Sequence, residues 1–181
     1  MRLCQEVPLV RQEEQGALYQ LVDNFTLFHY KFLENASDER YWTNSTNSSA
    51  MNAWRGIAFE RVCLEHVPQI KRALGVSGVQ SEVGAWSCPP DPEKGVHGSQ
   101  VDLLIARKDQ VVNLCEMKYS SGEYALTRAG EEAIARKVDD FLRVTGTRSS
   151  AHVTLVTTYG LKANAHSNAV QAVVTAEDLF G

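Results

Sequence analysis

A chain of 181 residues, 44% of them hydrophobic, can bury a core of its own and is expected to form one main domain with an appendage. Its formal net charge of −4 gives no global basic character, so contact with nucleic acid would depend on a local basic patch. The four cysteines are scattered and form no Cys-x-x-Cys pair, which indicates reduced thiols in a cytoplasmic protein and argues against a disulfide framework or zinc site. No apolar run approaches the roughly 18 residues of a membrane span and the charged N-terminus is no signal peptide, so we expect no membrane association.

The N-terminal quarter of the chain is predicted to be helical and then irregular. Ala17–Leu33 (ALYQLVDNFTLFHYKFL) has apolar residues at helical spacing, on a stripe too broad for a free-standing surface helix. This pattern predicts a helix that packs on the main domain or associates with a second copy of the chain. The Ser/Thr/Asn-rich stretch within residues 34–52 predicts a linker. Residues 1–48 are therefore expected to form a helical and linker segment.

Residues 49–181 have the pattern of an α/β domain. Capping by Ser48 or Ser49 and a stop at Gly75 predict a helical region that breaks near Pro68. Three strands, an amphipathic helix, two further strands and a short C-terminal cap are then predicted, at Val79–Trp86, Val101–Ala106, Val111–Met117, Thr127–Val144, Val153–Thr157, Ala169–Thr175 and Ala176–Phe180. A meander followed by a helical crossover predicts a mixed sheet with helices on both faces.

The hairpin within Gln100–Lys118 carries charges that apolar strands do not bear without a reason. Strand side chains alternate between faces, so Glu116 and Lys118 share one face, and Asp102 shares the face of Leu104 on its own strand. A carboxylate near the start of one strand then lies beside a carboxylate and a lysine near the end of its antiparallel partner. Unpaired burial of these charges would be costly, and two carboxylates with a lysine suit Mg²⁺-assisted hydrolysis of a phosphodiester.

These residues carry a resemblance. Asp102 followed by Glu116-Met117-Lys118 resembles the Asp … (Asp/Glu)-x-Lys core of the PD-(D/E)XK nuclease superfamily. The segment GIAFE, which ends at Glu60 on the preceding helix, is similar to the G-x-x-F-E element with which many of these nucleases add an acidic group. From about Ala17 onward, the chain resembles the C-terminal part of a bacterial family of AAA-type ATPases through the segments LVDNFTLFHYKF, GIAFE, QVDLLI, NLCEMKYS, VTLVTTYG and AEDLF. In that family, an ATPase module and a winged-helix segment precede a nuclease-like domain.

The resemblance implies a restriction-endonuclease-like α/β fold over residues 49–181, with an αβββαβ core in which helices flank a mixed central sheet. Residues 1–48 would be the tail of the winged-helix or ATPase region. The chain has no Gly-x-x-x-x-Gly-Lys-[Ser/Thr] loop, so the ATPase module with its ATP-binding site is expected to lie outside it. The implied activity is metal-dependent hydrolysis of nucleic acid, with DNA as the expected substrate. The alternative is a catalytically silent regulatory or docking domain of the ATPase, which the net negative charge and the apolar segment Ala17–Leu33 favour.

At the site itself, the resemblance implies catalytic roles for Glu60, Asp102, Glu116 and Lys118. Asp102 and Glu116 would be the carboxylates that bind Mg²⁺ or Mn²⁺, with the backbone carbonyl of Met117 as a further ligand. Lys118 would position or activate the attacking water. Glu60 would reach in from the helix as a third acidic group, or would hold Lys118 or a metal-bound water.

Residues around this core have less specific expectations. Gln100 shares the face of Asp102 and Ser120 shares the face of Lys118, so both are candidate contacts to nucleic acid. Gly-Ser-Gln-Val precedes Asp102, so the Pro-Asp pair of the superfamily's motif is missing. The basic residues of the second helix can form either a solvated face or a phosphate-facing groove: Arg128, Arg136, Lys137 and Arg143. Four histidines show no ligand spacing and are expected to be ordinary polar residues: His66, His97, His152 and His166.

Overall fold

A computed structural model of the chain describes residues 4–7, 18–21, 23–34, 46 and 48–181. In the N-terminal part, strand β1 (Cys4–Val7) pairs antiparallel with β2 (Leu18–Leu21). Helix α1 (Asn24–Phe28) follows and continues as one π-helical stretch over His29–Leu33. The prediction of a single helix over Ala17–Leu33 is therefore wrong for its first part, because long-range pairing with β1 prevails there over the helical spacing of the apolar residues. The predicted linker within residues 34–52 falls mostly outside the described residues.

Aromatic contacts join α1 and its π-helical extension to the helix that follows. The rings of Phe28 and Phe32 lie 5.8 and 5.9 Å from the ring of Trp54, both in edge-on arrangements. Phe25 and Tyr30, on the same segment, are exposed. Part of the apolar stripe thus packs on the main domain, as one of the two expectations for this segment requires, while self-association stays a prediction.

Two helices begin the main domain, α2 (Ser49–Glu65) and α3 (Val67–Ala73). The hydroxyl of Ser48 accepts a hydrogen bond from a backbone N–H of the first turn, which confirms the predicted cap. The predicted break is also confirmed, and Pro68 lies in the first turn of α3, where its missing N–H removes no intrahelical bond. Gly75 follows α3 with φ of +70°, a left-handed conformation that favours glycine.

A mixed five-stranded sheet forms the centre of the domain: β3 (Ser81–Cys88), β4 (Ser99–Arg107), β5 (Val111–Lys118), β6 (Ser150–Thr157) and β7 (Ala172–Thr175). The strands lie in chain order, with β3, β4 and β5 antiparallel and with β5, β6 and β7 parallel. Helix α4 (Arg128–Thr145) crosses between β5 and β6, and α5 (Ala176–Phe180) ends the chain. The predicted α/β class and mixed sheet are confirmed. The last strand begins later than predicted, because a short 3₁₀ helix occupies Ser167–Ala169.

Helices cover both faces of this sheet and bury its side chains. On one face, α2 and α3 contribute Phe59, Cys63 and Ile70 to a core that includes alternate residues of β4 and β5. On the other face, Phe141 of α4 packs against the intervening residues of these strands, and Ile134 packs against Val153 of β6. A fully buried side chain of this size contributes roughly 1.5–3 kcal/mol by leaving water. The two cores fix α2 and α4 on opposite sides of the strands that carry the predicted site.

The alternation of β4 is interrupted next to Asp102. Val101 and Leu104 both pack in the core under α4, although three positions separate them, whereas Leu103 packs on the opposite face. The register between β3 and β4 shifts at this point, with two residues of β4 opposing one of β3, which defines a β-bulge on β4. The uninterrupted alternation that assigned Asp102 to the face of Leu104 therefore does not hold. The pairing of β4 with β5 ends at Leu103, so Asp102 lies just beyond that ladder.

Candidate functional site

The structure brings the four predicted catalytic side chains to one end of the sheet. Asp102 lies at the bulge of β4. Glu116 and Lys118 lie at the end of β5, and Lys118 is the last residue of that strand. Glu60 approaches from α2, and the charges of Asp102, Glu116 and Lys118 all act on its carboxyl group. The four residues are therefore close enough to interact electrostatically, and the catalytic roles inferred for them stay predictions.

Glu116 is enclosed by two lysines. The Nζ of Lys118 lies 2.7 Å from one carboxylate oxygen, and the Nζ of Lys137 lies 2.7 Å from the other. Burial alone would raise the pKa of Glu116, but hydrogen bonds from the two ammonium groups outweigh burial and lower it below its ordinary value. Burial would lower the pKa of Lys118, but its hydrogen bond to Glu116 and the charge of that carboxylate outweigh burial and raise it. Glu116 is thus a fully compensated carboxylate.

Glu60 and Asp102 have a different electrostatic environment. Burial and then the negative charge of Asp102 raise the pKa of Glu60, and the cations Arg61 and Lys118 only partly oppose that rise. Within the described ranges, the Glu60 carboxylate takes part in no ion pair or hydrogen bond. Asp102 accepts a hydrogen bond from Nε2 of Gln100 at 2.6 Å, which is a neutral donor. The two carboxylates are therefore close together, and neither forms an ion pair within the described ranges, although the charge of Lys118 acts on both.

Both of these carboxylates line an open cleft of about 440 Å³. The cleft is bounded by α2, the start of β4 and α4, and its other lining residues are His97, Gly98, Ser99, Gln100, Ala133, Arg136 and Lys137. Acidic groups from α2 and β4 thus share this space with basic groups from α4 and from the loop that precedes β4. We call His97, Arg136 and Lys137 the basic wall of the cleft.

A further carboxylate, Asp140 of α4, fixes the loop that leads into β4. It is fully buried and accepts hydrogen bonds from the backbone N–H of His97 at 3.0 Å, from Nδ1 of the same residue at 3.3 Å and from the Ser99 hydroxyl at 2.5 Å. Burial alone would raise the pKa of Asp140, but these donors together lower it. Sequence reasoning missed this residue, and its position beside Phe141 next to the apolar face of α4 was the only signal available.

Three other predicted residues occupy distinct places. Gln100 lines the cleft and bonds to Asp102. The hydroxyl of Ser120 donates to the carbonyl of Gly122 at 2.6 Å, and Ser120 is not among the residues that line the cleft. The side chain of Met117 is buried in the core on the α2 side of the sheet. Of the two predicted nucleic-acid contacts, only Gln100 therefore faces the space that a substrate could enter.

The donor set of the cleft fits a hard cation better than a soft one. Carboxylate oxygens of Glu60 and Asp102 are the ligands that Mg²⁺ prefers, and this ion is usually bound by one or two carboxylates together with several waters. Among the described residues, no group of three His, Cys, Asp or Glu side chains could hold a metal ion. Mg²⁺ needs only one or two carboxylates from the protein, so a pair of carboxylates is sufficient to bind it. Glu116 fits less well than predicted, because both of its oxygens are bonded to lysines.

Comparisons of the chain with protein-family models, with curated proteins and with solved structures find no match. No helix in the described part of the chain has the length and apolar character needed to cross a membrane. The functional interpretation therefore depends on the residues of the cleft and on their geometry.

Proposed function

We propose that this chain hydrolyses phosphodiester bonds of nucleic acid with the help of Mg²⁺ or Mn²⁺, and that DNA is its substrate. The observation that carries the proposal is the pair of neighbouring carboxylates, Glu60 and Asp102, which form no ion pair within the described ranges and line an open cleft that also has a basic wall. A carboxylate pair of this kind is destabilising by itself and is relieved by a divalent cation. When bound, such a cation polarises the phosphate and increases the acidity of a coordinated water.

The residues of the chain would divide the remaining work. Glu60 and Asp102 would hold the cation, with Glu116 and the backbone carbonyl of Met117 as the further ligands that the resemblance implies. Lys118 would position the attacking water and offset negative charge in the transition state. The two lysine contacts of Glu116 support an orienting role for this carboxylate, since they hold Lys118 and Lys137 at the edge of the site.

The order of elements supports a more specific proposal for the fold. When the short helix α3 between α2 and β3 is set aside, the order α2, β3, β4, β5, α4, β6 matches the αβββαβ order of a restriction-endonuclease-like domain. On this proposal, residues 49–181 form the nuclease-like domain and residues 1–48 belong to a winged-helix or ATPase region. Activity would be coupled in the cytoplasm to an ATPase module outside this chain.

A cleavage assay tests the activity. The purified chain is incubated with supercoiled plasmid DNA and Mg²⁺ or Mn²⁺, and nicked and linear products are quantified over time. We expect Asp102→Ala and Lys118→Ala each to lower the cleavage rate by about 100-fold or more, since each removes charge stabilisation at the reacting phosphate.

Two substitutions on the same hairpin serve as matched controls. Asp109→Ala removes an acid that pairs with Arg107, and Lys108→Ala removes a lysine that pairs with Glu82. Both controls should cleave at the wild-type rate. Equal rates for Asp102→Ala, Lys118→Ala and the wild-type chain would refute the proposal, as would activity that persists in excess EDTA.

The second candidate function is a regulatory or docking domain of an AAA-type ATPase. One specific observation favours it: the carboxylate that the resemblance assigns to the metal, Glu116, is neutralised by two lysines. Thermal unfolding in a Mn²⁺ titration separates the two functions, because a ligand that binds only the folded state raises the melting temperature. A rise that Asp102→Ala abolishes supports the enzyme. No rise in the wild-type chain supports the docking domain.

A further inference from the structure

The four cations of α4 differ in what neutralises them. Three are paired with acidic side chains at 2.7–3.0 Å: Arg128 with Glu132, Lys137 with Glu116 and Arg143 with Asp139. Arg136 has no ion-pair partner among the described residues, and it is exposed on the cleft. The one uncommitted cation of this helix therefore faces the candidate site.

His97 presents a ring nitrogen to the same space. The lowered pKa of Asp140 keeps its carboxylate ionised at neutral pH, and an ionised carboxylate can only accept hydrogen bonds. Nδ1 of His97, 3.3 Å from Asp140, must therefore carry a proton. Nε2 lies on the other side of the imidazole, on a side chain that is 58% exposed and lines the cleft. Asp140 thus orients the ring and leaves Nε2 available to a ligand.

Helical geometry places Arg136 and this histidine on one surface. Arg136 lies three residues after Ala133 and four before Asp140, so these three residues follow one another along one face of α4. Asp140, one turn beyond Arg136, holds His97 through both its backbone and its ring. His97 is therefore anchored to the helix that carries Arg136, and both side chains line the cleft.

We infer that Arg136 and His97 bind a backbone phosphate of a polynucleotide strand, across the cleft from Glu60 and Asp102, with Asp140 as the positioning residue. This inference rests on the proposed function and adds a contact that does not depend on the metal. A guanidinium group matches two oxygens of a phosphate, and His97 adds a single hydrogen bond from Nε2 in its imidazolium form, which carries a proton on each ring nitrogen. Such contacts read the backbone and position the strand without selecting a base sequence.

Binding in the absence of metal tests the inference. A short fluorescein-labelled DNA duplex is titrated with the purified chain in EDTA, and Kd is measured by fluorescence anisotropy at several salt concentrations. We expect Arg136→Ala to raise Kd about tenfold and to reduce the salt dependence by about one phosphate contact. His97→Ala should raise Kd about threefold, and His97→Gln, whose amide can donate, should recover part of that loss.

Arg128→Ala is the matched control, because Arg128 is an exposed arginine of the same helix that does not line the cleft. Its Kd should stay within about twofold of the wild-type value, since surface pairs of this kind contribute little. Equal losses for Arg136→Ala and Arg128→Ala would overturn the inference and indicate a diffuse electrostatic effect. Unchanged Kd values in all variants would also overturn it.

Two further arms separate this inference from the proposed function. If Arg136→Ala selectively weakens binding in EDTA but the wild-type chain cleaves no DNA with metal, the phosphate site stands and the hydrolase proposal fails. If the wild-type chain cleaves DNA and Arg136→Ala binds and cleaves equally well, the hydrolase stands and the phosphate site is refuted. Inorganic phosphate is the second probe: saturable binding of phosphate that requires Arg136, without any duplex binding, would overturn the assignment to a polynucleotide.

Discussion

Asp140 and Glu60 are carboxylates on helices that cover opposite faces of the sheet, and their pKa values are shifted in opposite directions. Asp140 is fully buried, accepts three hydrogen bonds and has a lowered pKa. Glu60 is only partly buried, has no hydrogen-bond or ion-pair partner in the described ranges and has a raised pKa. Burial alone therefore does not separate a structural carboxylate from a functional one. Compensation is the more informative property, because a carboxylate in a cleft whose pKa is raised by burial and a neighbouring charge is a candidate for function.

By the same criterion, the three predicted acids are not equivalent. Glu116 resembles Asp140, since each of its oxygens has a charged donor at 2.7 Å. Asp102 resembles Glu60, since its only hydrogen-bond donor among the described residues is the neutral amide of Gln100. The resemblance to PD-(D/E)XK nucleases groups Asp102 with Glu116 as metal ligands, whereas the geometry groups Asp102 with Glu60. Substitutions can separate these two groupings.

Asp140→Ala should have the largest effect, because it removes the most fully bonded carboxylate. The N–H groups of His97 and the hydroxyl of Ser99 lose the buried carboxylate that accepts their hydrogen bonds. We expect the free energy of unfolding to fall by about 3 kcal/mol, the size found when buried charged hydrogen bonds are broken. Urea unfolding at neutral pH measures this change.

The neighbouring Asp139 provides the control for this substitution. It forms an exposed ion pair with Arg143 on the same turn of α4. Asp139→Ala should lower the free energy of unfolding by no more than about 0.5 kcal/mol. If the two substitutions had equal effects, Asp140 would not be a stabilising anchor of the loop, and its contrast with Glu60 would disappear.

Glu116→Gln should have an intermediate effect that depends on pH. It leaves two ammonium groups without a countercharge, and we expect a loss of about 1–2 kcal/mol at pH 7, since the two lysines are 43% and 29% exposed and partly screened. The native pKa of Glu116 lies below its ordinary value of 4.5, so the unfolded chain binds more protons in that window. The stabilisation is therefore present above about pH 4.5 and is lost as the pH falls through the native pKa.

Urea unfolding of both chains at pH 7 and at pH 4 and below measures this dependence. The difference between wild-type and Glu116→Gln should shrink on acidification. Glu82→Gln, which disrupts an exposed pair with Lys108, should show little effect at either pH. A difference that stays constant with pH would show that Glu116 contributes through packing and not through its charge.

Local signals explain which parts of the fold the sequence could predict. The cap at Ser48, the break at Pro68 and the β-branched run of β6 depend on neighbouring residues, and the structure has each near its predicted position. The strand β2 was missed because Leu18–Leu21 is paired with residues at the start of the chain, which no local pattern reveals. Local periodicity was thus sufficient to predict helices and strands that neighbouring residues determine. It was insufficient for a strand that forms by pairing with a distant part of the chain.

The candidate site shows the same division. Its acids could be named from a spacing that resembles a known family, but their compensation depends on residues far away in the chain. Lys137 reaches Glu116 across 21 positions, and Ser99 reaches Asp140 across 41. The bulge beside Asp102 is likewise set by pairing with β3. No spacing rule predicts these contacts, because they arise from how α4 and β3 pack on the hairpin.

Glu60→Gln should have the smallest effect and the opposite sign. The native pKa of Glu60 lies above its ordinary value of 4.5, so the folded chain binds more protons and loses stability as the pH rises through that window. The substitution removes this penalty, and we expect the melting temperature at pH 7 to rise by about 2–4 °C, with little change below pH 4.5. Glu65→Gln, at the exposed end of the same helix, should leave the melting temperature unchanged. A lower melting temperature for Glu60→Gln would show that Glu60 is compensated like Asp140. Mn²⁺ should in turn raise the melting temperature of the wild-type chain more than that of Glu60→Gln. If the wild-type chain then melts at the higher temperature, the charge that destabilises the metal-free fold is the one that binds the cation.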